Sequence, residues 1–252
     1  MDRVELKKQT CERLFGNTAS NPENPDQELM DILQNFMFGE AFHHGKLEDK
    51  KREMLTLVAL TVNQMLPQLK SHVMAALHIG VTQAEIKETL YQCAPYIGFP
   101  KVLNAVQAAN EGIHAMGMKP EKIQASTVTE ETRMKDGLAV QKSIFGEVID
   151  KNYETAPEGQ LHIQQYLSGM CFGDFYTRGI LDIKMRELIT FCAILTMGGC
   201  ENQLKAHIHA NIKVGNSKAL LVTAITQCLL YVGFPRTLNA LACLNELIPN
   251  NE

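Results

Sequence analysis

The fold is organised around one stretch, Met185-Arg-Glu-Leu-Ile-Thr-Phe-Cys-Ala-Ile-Leu-Thr-Met-Gly-Gly-Cys-Glu-Asn-Gln-Leu-Lys-Ala-His207. Its apolar residues recur with a helical period on both sides of Gly198-Gly199, and a glycine pair of this kind ends a helix. The stretch therefore predicts two helices that fold back on each other, the first running from about residue 182 to residue 197. Every other apolar period in the chain is helical as well, which predicts an all-α fold.

Glu187, Cys200 and His207 are the candidate catalytic residues of this hairpin. Glu187 falls on the apolar stripe of the first helix, where a buried carboxylate requires a partner. At a rise of about 1.5 Å per residue, Glu187 lies about 16 Å before the turn and His207 about 12 Å after it, so their side chains can meet. Cys200 stands at the start of the second helix, where the helix dipole favours a thiolate. Gln203 shares the face of Cys200 and His207, and its amide can both donate and accept a hydrogen bond.

The chain repeats itself after about 135 residues. Gln68-Leu-Lys-x-His72 recurs as Gln203-Leu-Lys-x-His207, and Tyr96-x-Gly-Phe-Pro-x-x-Leu-Asn-Ala105 recurs as Tyr231-x-Gly-Phe-Pro-x-x-Leu-Asn-Ala240. Upstream of the hairpin turn the shift is 134, which places one inserted residue in the second turn. The sequence therefore predicts a tandem duplication of one all-helical unit.

The duplication predicts two domains and a second, incomplete copy of the site. The first repeat, with an N-terminal helical arm, is expected at 1–118, a linker at 119–129 and the second repeat at 130–252. The first-repeat equivalents of the site are Glu53, Gln68 and His72, whereas Met65 stands in place of the cysteine. We expect the first copy to serve mainly as structure, or to complete the pocket of a neighbouring site.

Composition excludes several classes of partner. The 252 residues are 45% hydrophobic and 21% charged, with a net charge of −4 and no dense block of Lys or Arg, so neither nucleic acid nor an anionic membrane is an expected partner. The start of the chain has no apolar signal region, and no apolar run is expected to span a bilayer. Seven cysteines without a Cys-x-x-Cys pair disfavour a disulfide framework or a zinc site and favour the cytoplasm.

Three segments resemble the carboxymuconolactone decarboxylase family, which also includes the alkylhydroperoxidase D-type proteins. They are Arg-Glu-Leu-Ile-Thr-Phe at 186–191, the Gln-Leu-Lys-x-His segments, and the Gly-Phe-Pro-x-x-Leu-Asn-Ala segments. The resemblance covers about residues 36–110 and 170–247. It implies an all-α fold of two family repeats. Since single-unit members tend to form hexamers, it also implies a homotrimer, that is, a pseudo-hexamer of repeats.

The resemblance leaves the reaction open. In the hydroperoxidase branch the pattern is Glu, then Cys-x-x-Cys, then His after three more residues. Glu187, Cys200 and His207 match it, but Gln203 stands where the second cysteine belongs. The thiol peroxidase cycle of that branch therefore lacks one sulfur.

Three functions follow from these residues. The first is a lyase without metal or cofactor, in which Glu187 and His207 transfer a proton during decarboxylation of a small unsaturated lactone acid. Tyr176 and Gln203 are then candidates for binding substrate oxygens, and Arg178 and Arg236 for binding a substrate carboxylate. The second is a thiol peroxidase that uses Cys200 as nucleophile. The third is a non-enzymatic oligomeric binding module, in which the Glu–His pairs only hold helices together.

Overall fold

The computed structural model describes residues 2–16 and 24–249, and within these residues it contains helices and no strand. The predicted all-α fold is therefore confirmed. The sequence Asn21-Pro-Glu-Asn-Pro25 predicts a loop, and residues 21–23 of it lie outside the described residues. The first-repeat helices are α1 (Arg3–Phe15), α2 (Gln27–Gly39), α3 (Asp49–Asn63), α4 (Leu66–His78), α5 (Gln83–Gln92), α6 (Ala94–Ile97) and α7 (Phe99–Ala115). The second-repeat helices are α8 (Arg133–Phe145), α9 (Val148–Glu154), α10 (Leu161–Tyr166), α11 (Ile183–Met197), α12 (Glu201–Lys213) and α13 (Lys218–Leu247).

The predicted hairpin is formed by α11 and α12. Asp182 begins α11, because its side chain accepts a hydrogen bond from the backbone N–H of Met185. Gly198 and Gly199 both have a φ of 69°, which glycine adopts without a steric penalty, and they reverse the chain. In the first repeat a single left-handed residue, Gln64 with a φ of 57°, makes the corresponding turn. The residue inserted in the second copy therefore lies in this turn.

Each repeat bends again at its Tyr-x-Gly-Phe-Pro segment. Gly98 has a φ of 84° and separates α6 from α7, whereas Gly233, with a φ of 74°, kinks α13. By length and composition α13 could cross a membrane. That is weak evidence for a span, because the backbone at Gly233 is not helical and divides α13 into two shorter helices.

Helices α3 and α11 form the centre of the molecule and pack against each other. Nearly every side chain of both is buried, and one hydrophobic core extends through the two repeats. The packing also crosses between repeats, since α13 contacts α3 while α5 and α6 contact α11. Residues of one repeat are thereby placed next to the Glu–His hairpin of the other.

The helical arms α1 and α8 lie close to the backbone of the helices that follow them. A Cβ atom added to Gly39 would be 2.1 Å from the carbonyl oxygen of Arg3, and one added to Gly173 would be 2.3 Å from that of Arg133. Only glycine permits these approaches. Gly173 belongs to a π-helical segment, Leu167–Tyr176, on which α8 packs. The arms are therefore equivalent parts of the two repeats.

No helix is present between Met118 and Thr129, where the sequence predicts the linker. The side chain of Lys87 donates to the carbonyl oxygen of Glu121 at 2.5 Å, so this segment lies against α5. The domain boundaries themselves stay a prediction.

Candidate functional site

Glu187 and His207 meet as the hairpin predicts. His207 Nδ1 lies 2.7 Å from Glu187 Oε2, and the exposed fraction is 0% for the glutamate side chain and 10% for the histidine side chain. A carboxylate only accepts hydrogen bonds, so Nδ1 carries the proton and Nε2 points away from the pair. No hydrogen bond of Nε2 occurs within the described residues. Nε2 is therefore the atom of this pair that is available to a ligand.

Tyr176 holds the other carboxylate oxygen. Its phenol donates to Glu187 Oε1 at 2.8 Å. The phenol oxygen of Tyr176 also lies 2.9 Å from Thr190 Oγ1 and 3.0 Å from the phenol oxygen of Tyr96. Burial raises the pKa of both tyrosines well above the ordinary value, so both phenols stay neutral donors at physiological pH. Both oxygens of Glu187 are thus satisfied.

Aromatic rings enclose the imidazole of His207. Phe145, the last residue of α8, meets it edge-on with ring centroids 5.5 Å apart, and Tyr96 does so at 5.6 Å. Tyr96 belongs to the first repeat, so a residue of the first copy lies against the imidazole of the second. Asn211 fixes the hairpin from behind by donating to the backbone carbonyls of Glu187 and His207.

The first repeat contains the same Glu–His pair, but its carboxylate has fewer hydrogen-bond partners. His72 Nδ1 lies 2.7 Å from Glu53 Oε2, and Phe15 and Tyr231 meet the imidazole edge-on. Glu53 is fully buried, yet its Oε1 has no hydrogen-bond partner among the described residues. The residue equivalent to Tyr176 is Phe42, which has no hydroxyl group to donate. The two Glu–His pairs therefore differ in the support of the carboxylate.

Cys200 is the N-cap residue of α12, and it lines a cavity that the imidazole of His207 does not line. A cavity of about 220 Å³ is bounded by Cys200, the glycine pair of the turn, Arg236 and Asn239. Cys200 precedes His207 by seven residues, which is about 10 Å along the helix axis. The thiol and the Glu–His pair thus share a helix but do not form one contact cluster.

Arg178, one of the predicted substrate-binding residues, is bound within the protein. Arg178 is bound to the buried carboxylate of Glu88, with its Nη2 2.6 Å from Oε1, and is therefore not available to a substrate carboxylate. Glu88 also pairs with the buried Arg186. Two guanidinium groups therefore bind this internal carboxylate. Gln203 and its equivalent Gln68 are exposed and have no side-chain hydrogen bond within the described part of the chain.

Arg236 agrees better with the expectation. Its Nη1 donates to the carbonyl oxygen of Thr196 at 2.6 Å, and its side chain lies over Gly198, where a Cβ atom would be 3.0 Å from Nε. No carboxylate of the described residues forms an ion pair with it. Arg236 therefore presents a cation to the Cys200 cavity. The binding roles of Arg236 and Gln203 stay predictions.

The remaining cysteines form no second reactive centre within the described residues. Burial raises the pKa of Cys93 to about 12, and that of Cys192 also rises well above its ordinary value because Cys192 is completely buried. Cys192 is thus in the core. No group of three or more His, Cys, Asp or Glu side chains in residues 2–16 and 24–249 is arranged to hold a metal ion.

Tyr96, Thr190, Phe145 and Asn211 are site residues that the sequence analysis did not identify as such. Tyr96 could have been noticed in the sequence, because it begins the first copy of the repeated Tyr-x-Gly-Phe-Pro segment as Tyr231 begins the second. A tyrosine buried in the core was equally compatible with that pattern. Phe145 lies outside the segments that resemble the family, and nothing in its local sequence distinguishes it from a core residue.

Known proteins resemble part of this chain. The chain is 27% identical over 112 residues to 4-carboxymuconolactone decarboxylase of Acinetobacter baylyi, covering 44% of this chain and 84% of the relative. It is 30% identical over 97 residues to nitrosuccinic acid decarboxylase of Metarhizium robertsii, covering 38% and 66%. It is 39% identical over 81 residues to an uncharacterised 15.0 kDa protein of Paracoccus denitrificans, covering 31% and 60%.

A family model matches residues 27–111 and again residues 162–246, about two-thirds of the chain in total. Each match contains one Glu–His pair with its hairpin, so the family unit and the structural repeat coincide at the site. The chain belongs to the carboxymuconolactone decarboxylase family and carries two copies of the family unit in tandem.

Proposed function

We propose that this protein is a decarboxylase that acts on a small unsaturated carboxylic or lactone acid without metal or cofactor. The observation that carries the proposal is the Glu187–His207 pair, with Nδ1 bound to the carboxylate and Nε2 directed away from it. Two decarboxylases among the relatives support the reaction class. Their two different named substrates leave the acid itself to experiment.

The pair supplies what such a reaction needs from the protein. When the bond to the substrate carboxylate breaks, carbon dioxide leaves and the electron pair moves into the conjugated system as an enolate. Nε2–H of the protonated imidazole then delivers a proton to the enolate carbon, and the imidazole regains a proton from solvent. Glu187, held on both oxygens, fixes the ring orientation and stabilises the imidazolium. Arg236 lines the separate Cys200 cavity, and its binding of a substrate carboxylate is a proposal that rests on its charge alone.

A thiol peroxidase is the second candidate, because Cys200 lines a cavity at a helix N-terminus together with Arg236. The thiolate would attack the peroxide, release an alcohol and become a sulfenic acid, which two equivalents of an external thiol would reduce. An external reductant is required, because Gln203 replaces the second cysteine and Cys192 is fully buried.

The experiment that separates these functions assays one preparation against carboxymuconolactone, nitrosuccinic acid and an organic hydroperoxide with a thiol reductant. Carbon dioxide release supports the decarboxylase, and thiol-dependent loss of peroxide supports the peroxidase. The Cys200→Ser variant is expected to lose any peroxide turnover and to retain most of the decarboxylation. Turnover of none of these compounds, with a folded protein, would favour the non-enzymatic binding module.

We further propose a homotrimer, supported by exposed apolar residues that recur at equivalent positions of both repeats. The equivalent exposed pairs are Leu29 and Ile163, Ile32 and Tyr166, Leu33 and Leu167, Phe99 and Phe234, and Leu103 and Leu238. Exposed apolar residues that both copies of the duplicated unit retain fit an interface between protomers. The cytoplasm is the proposed compartment, since all seven cysteines are free.

A further inference from the structure

The two Glu–His pairs are built from matching parts. Each has an arm phenylalanine against the imidazole, a tyrosine from the other repeat, and a threonine one helical turn after the glutamate. The threonine hydroxyl accepts a hydrogen bond from a glutamine of the other repeat, and that glutamine accepts one from an arginine. The corresponding residues are Phe15 and Phe145, Tyr231 and Tyr96, Thr56 and Thr190, Gln227 and Gln92, and Arg52 and Arg186.

The carboxylate is supported in only one of them. Tyr176 donates to Glu187 Oε1 at 2.8 Å. At a shift of 134, the same register that relates the two glutamates, its equivalent is Phe42. Glu53 Oε1 is buried without a partner among the described residues. Tyr231 does not replace the missing donor, because its phenol is 3.2 Å from Thr56 Oγ1 instead.

Tyr176 is itself held in place by a series of hydrogen bonds. Thr190 Oγ1 lies 2.9 Å from the phenol, and Gln92 donates to Thr190 at 3.3 Å. Arg186 donates to Gln92 at 2.8 Å and forms an ion pair with Glu88. A hydrogen-bonded chain therefore runs from Glu187 to a buried ion pair. In the first repeat the corresponding chain stops before it reaches the glutamate.

This difference changes what each pair can do. A hydrogen bond to a carboxylate stabilises its ionised form, and a buried oxygen without a donor loses that stabilisation. Glu187 is fixed on both oxygens and orients its histidine, whereas Glu53 is fixed on one. The support of an imidazolium by the neighbouring carboxylate should be stronger in the second repeat.

We propose that Tyr176 is the positioning residue that makes the second-repeat pair catalytic, and that the first-repeat pair is silent because Phe42 takes its place. The inference rests on the proposed decarboxylase function. Tyr176 acts through Glu187 and does not itself bind the substrate, which differs from the role that the sequence suggested for it.

The test exchanges the two residues in the full-length protein. Tyr176→Phe is expected to lower kcat about 10-fold or more with little change in KM, because an orienting contact to the proton donor is lost. Phenylalanine already occupies this position in the first repeat, so the variant is expected to fold. Tyr153→Phe is the matched control, since it removes another phenol that donates at 2.8 Å, to Ser168, away from the Glu–His pairs.

The exchange can also be reversed. Phe42→Tyr in the Tyr176→Phe background is expected to restore turnover, and that turnover should then disappear on His72→Asn. Full kcat in Tyr176→Phe would overturn the inference. So would a double exchange that remains as inactive as Tyr176→Phe although the new phenol is in hydrogen-bond contact with Glu53.

A second readout does not depend on turnover. The ¹⁵N shifts of the imidazole nitrogens are expected to differ between His207 and His72, and Tyr176→Phe should move those of His207 towards those of His72. If wild-type protein decarboxylates no acid, the proposed function fails while these shifts still test the positioning role. Identical His207 shifts in wild type and Tyr176→Phe would refute that role even in an active enzyme.

Discussion

Tyr231 lies edge-on against the imidazole of His72, with ring centroids 6.1 Å apart, although the tyrosine belongs to the second repeat and the histidine to the first. Tyr96 and His207 repeat the relationship in the opposite direction at 5.6 Å. Each Glu–His pair is thus completed by a residue of the other repeat. The tandem arrangement therefore joins two half-sites in one chain, and neither repeat alone contains all parts of its own site.

The imidazole of His207 is predicted to be essential for turnover. His207→Asn keeps an N–H that can donate to Glu187, so the protein should remain folded, but it removes the group that transfers the proton. We expect kcat to fall about 100-fold or more, in the range by which general acid–base groups contribute. His209→Asn on the exposed side of α12 is the control. Equal activity of the two variants would exclude His207 as the proton carrier.

Arg236 and Arg178 are predicted to respond in opposite ways to replacement. Arg236→Gln should raise KM about 10-fold or more and lower the free energy of unfolding by less than Arg178→Gln does, because its guanidinium donates to the carbonyl oxygen of Thr196 but pairs with no carboxylate of the described residues. Arg178→Gln should instead lower the free energy of unfolding by about 1–3 kcal/mol, because the buried Glu88 loses one of its partners. Steady-state kinetics and urea unfolding measure both. A KM effect confined to Arg178→Gln would reverse the assignment.

The buried thiols are predicted to weaken the fold at alkaline pH. Burial raises the pKa of Cys93 and of Cys171 from 9.0 to about 12. Since the pKa is higher in the folded state, the thiol form is favoured by folding: no stability is lost below about pH 9, and it is lost progressively from there to about pH 12. Each thiol should lower the free energy of unfolding by about 1.4 kcal/mol per pH unit in this window.

Urea unfolding at several pH values between 8 and about 10.5 measures this slope, and Cys93→Ala should remove the part due to one thiol. Above about pH 10, the ordinary pKa of tyrosine, the buried tyrosines add their own slope because their pKa values are also raised, so the difference between wild type and Cys93→Ala isolates the thiol. An unchanged slope in Cys93→Ala would show that Cys93 does not contribute.

The exposed apolar pairs are predicted to form the contact between protomers. Phe99→Asp combined with Phe234→Asp places a charge at the same point of both repeats, so a trimer in which this surface is buried should dissociate. Light scattering after gel filtration would then report the mass of one chain instead of three. Val4→Asp is the control, because Val4 is also exposed but has no exposed apolar equivalent in α8. A wild-type protein that is already monomeric contradicts the trimer.

The sequence alone predicted the elements that depend on short-range rules. Helical periodicity and the Gly198-Gly199 turn act within a few residues. The Glu187–His207 contact was predictable for the same reason. Two helices joined by a tight turn bring together residues that lie at similar distances from the turn. The duplication was visible because matching residues recur at a constant shift.

The tertiary structure decided the contacts between residues far apart in the chain. Tyr96 reaches Tyr176 across 80 residues, Arg178 reaches Glu88 across 90, and Thr56 reaches Tyr231 across 175. No period or turn encodes such pairs, because they depend on how α3 and α11 pack against the helices of the opposite repeat. For the same reason, only the folded chain shows that Tyr176 satisfies the carboxylate of Glu187 while Glu53, in an otherwise matching site, has one oxygen without a donor.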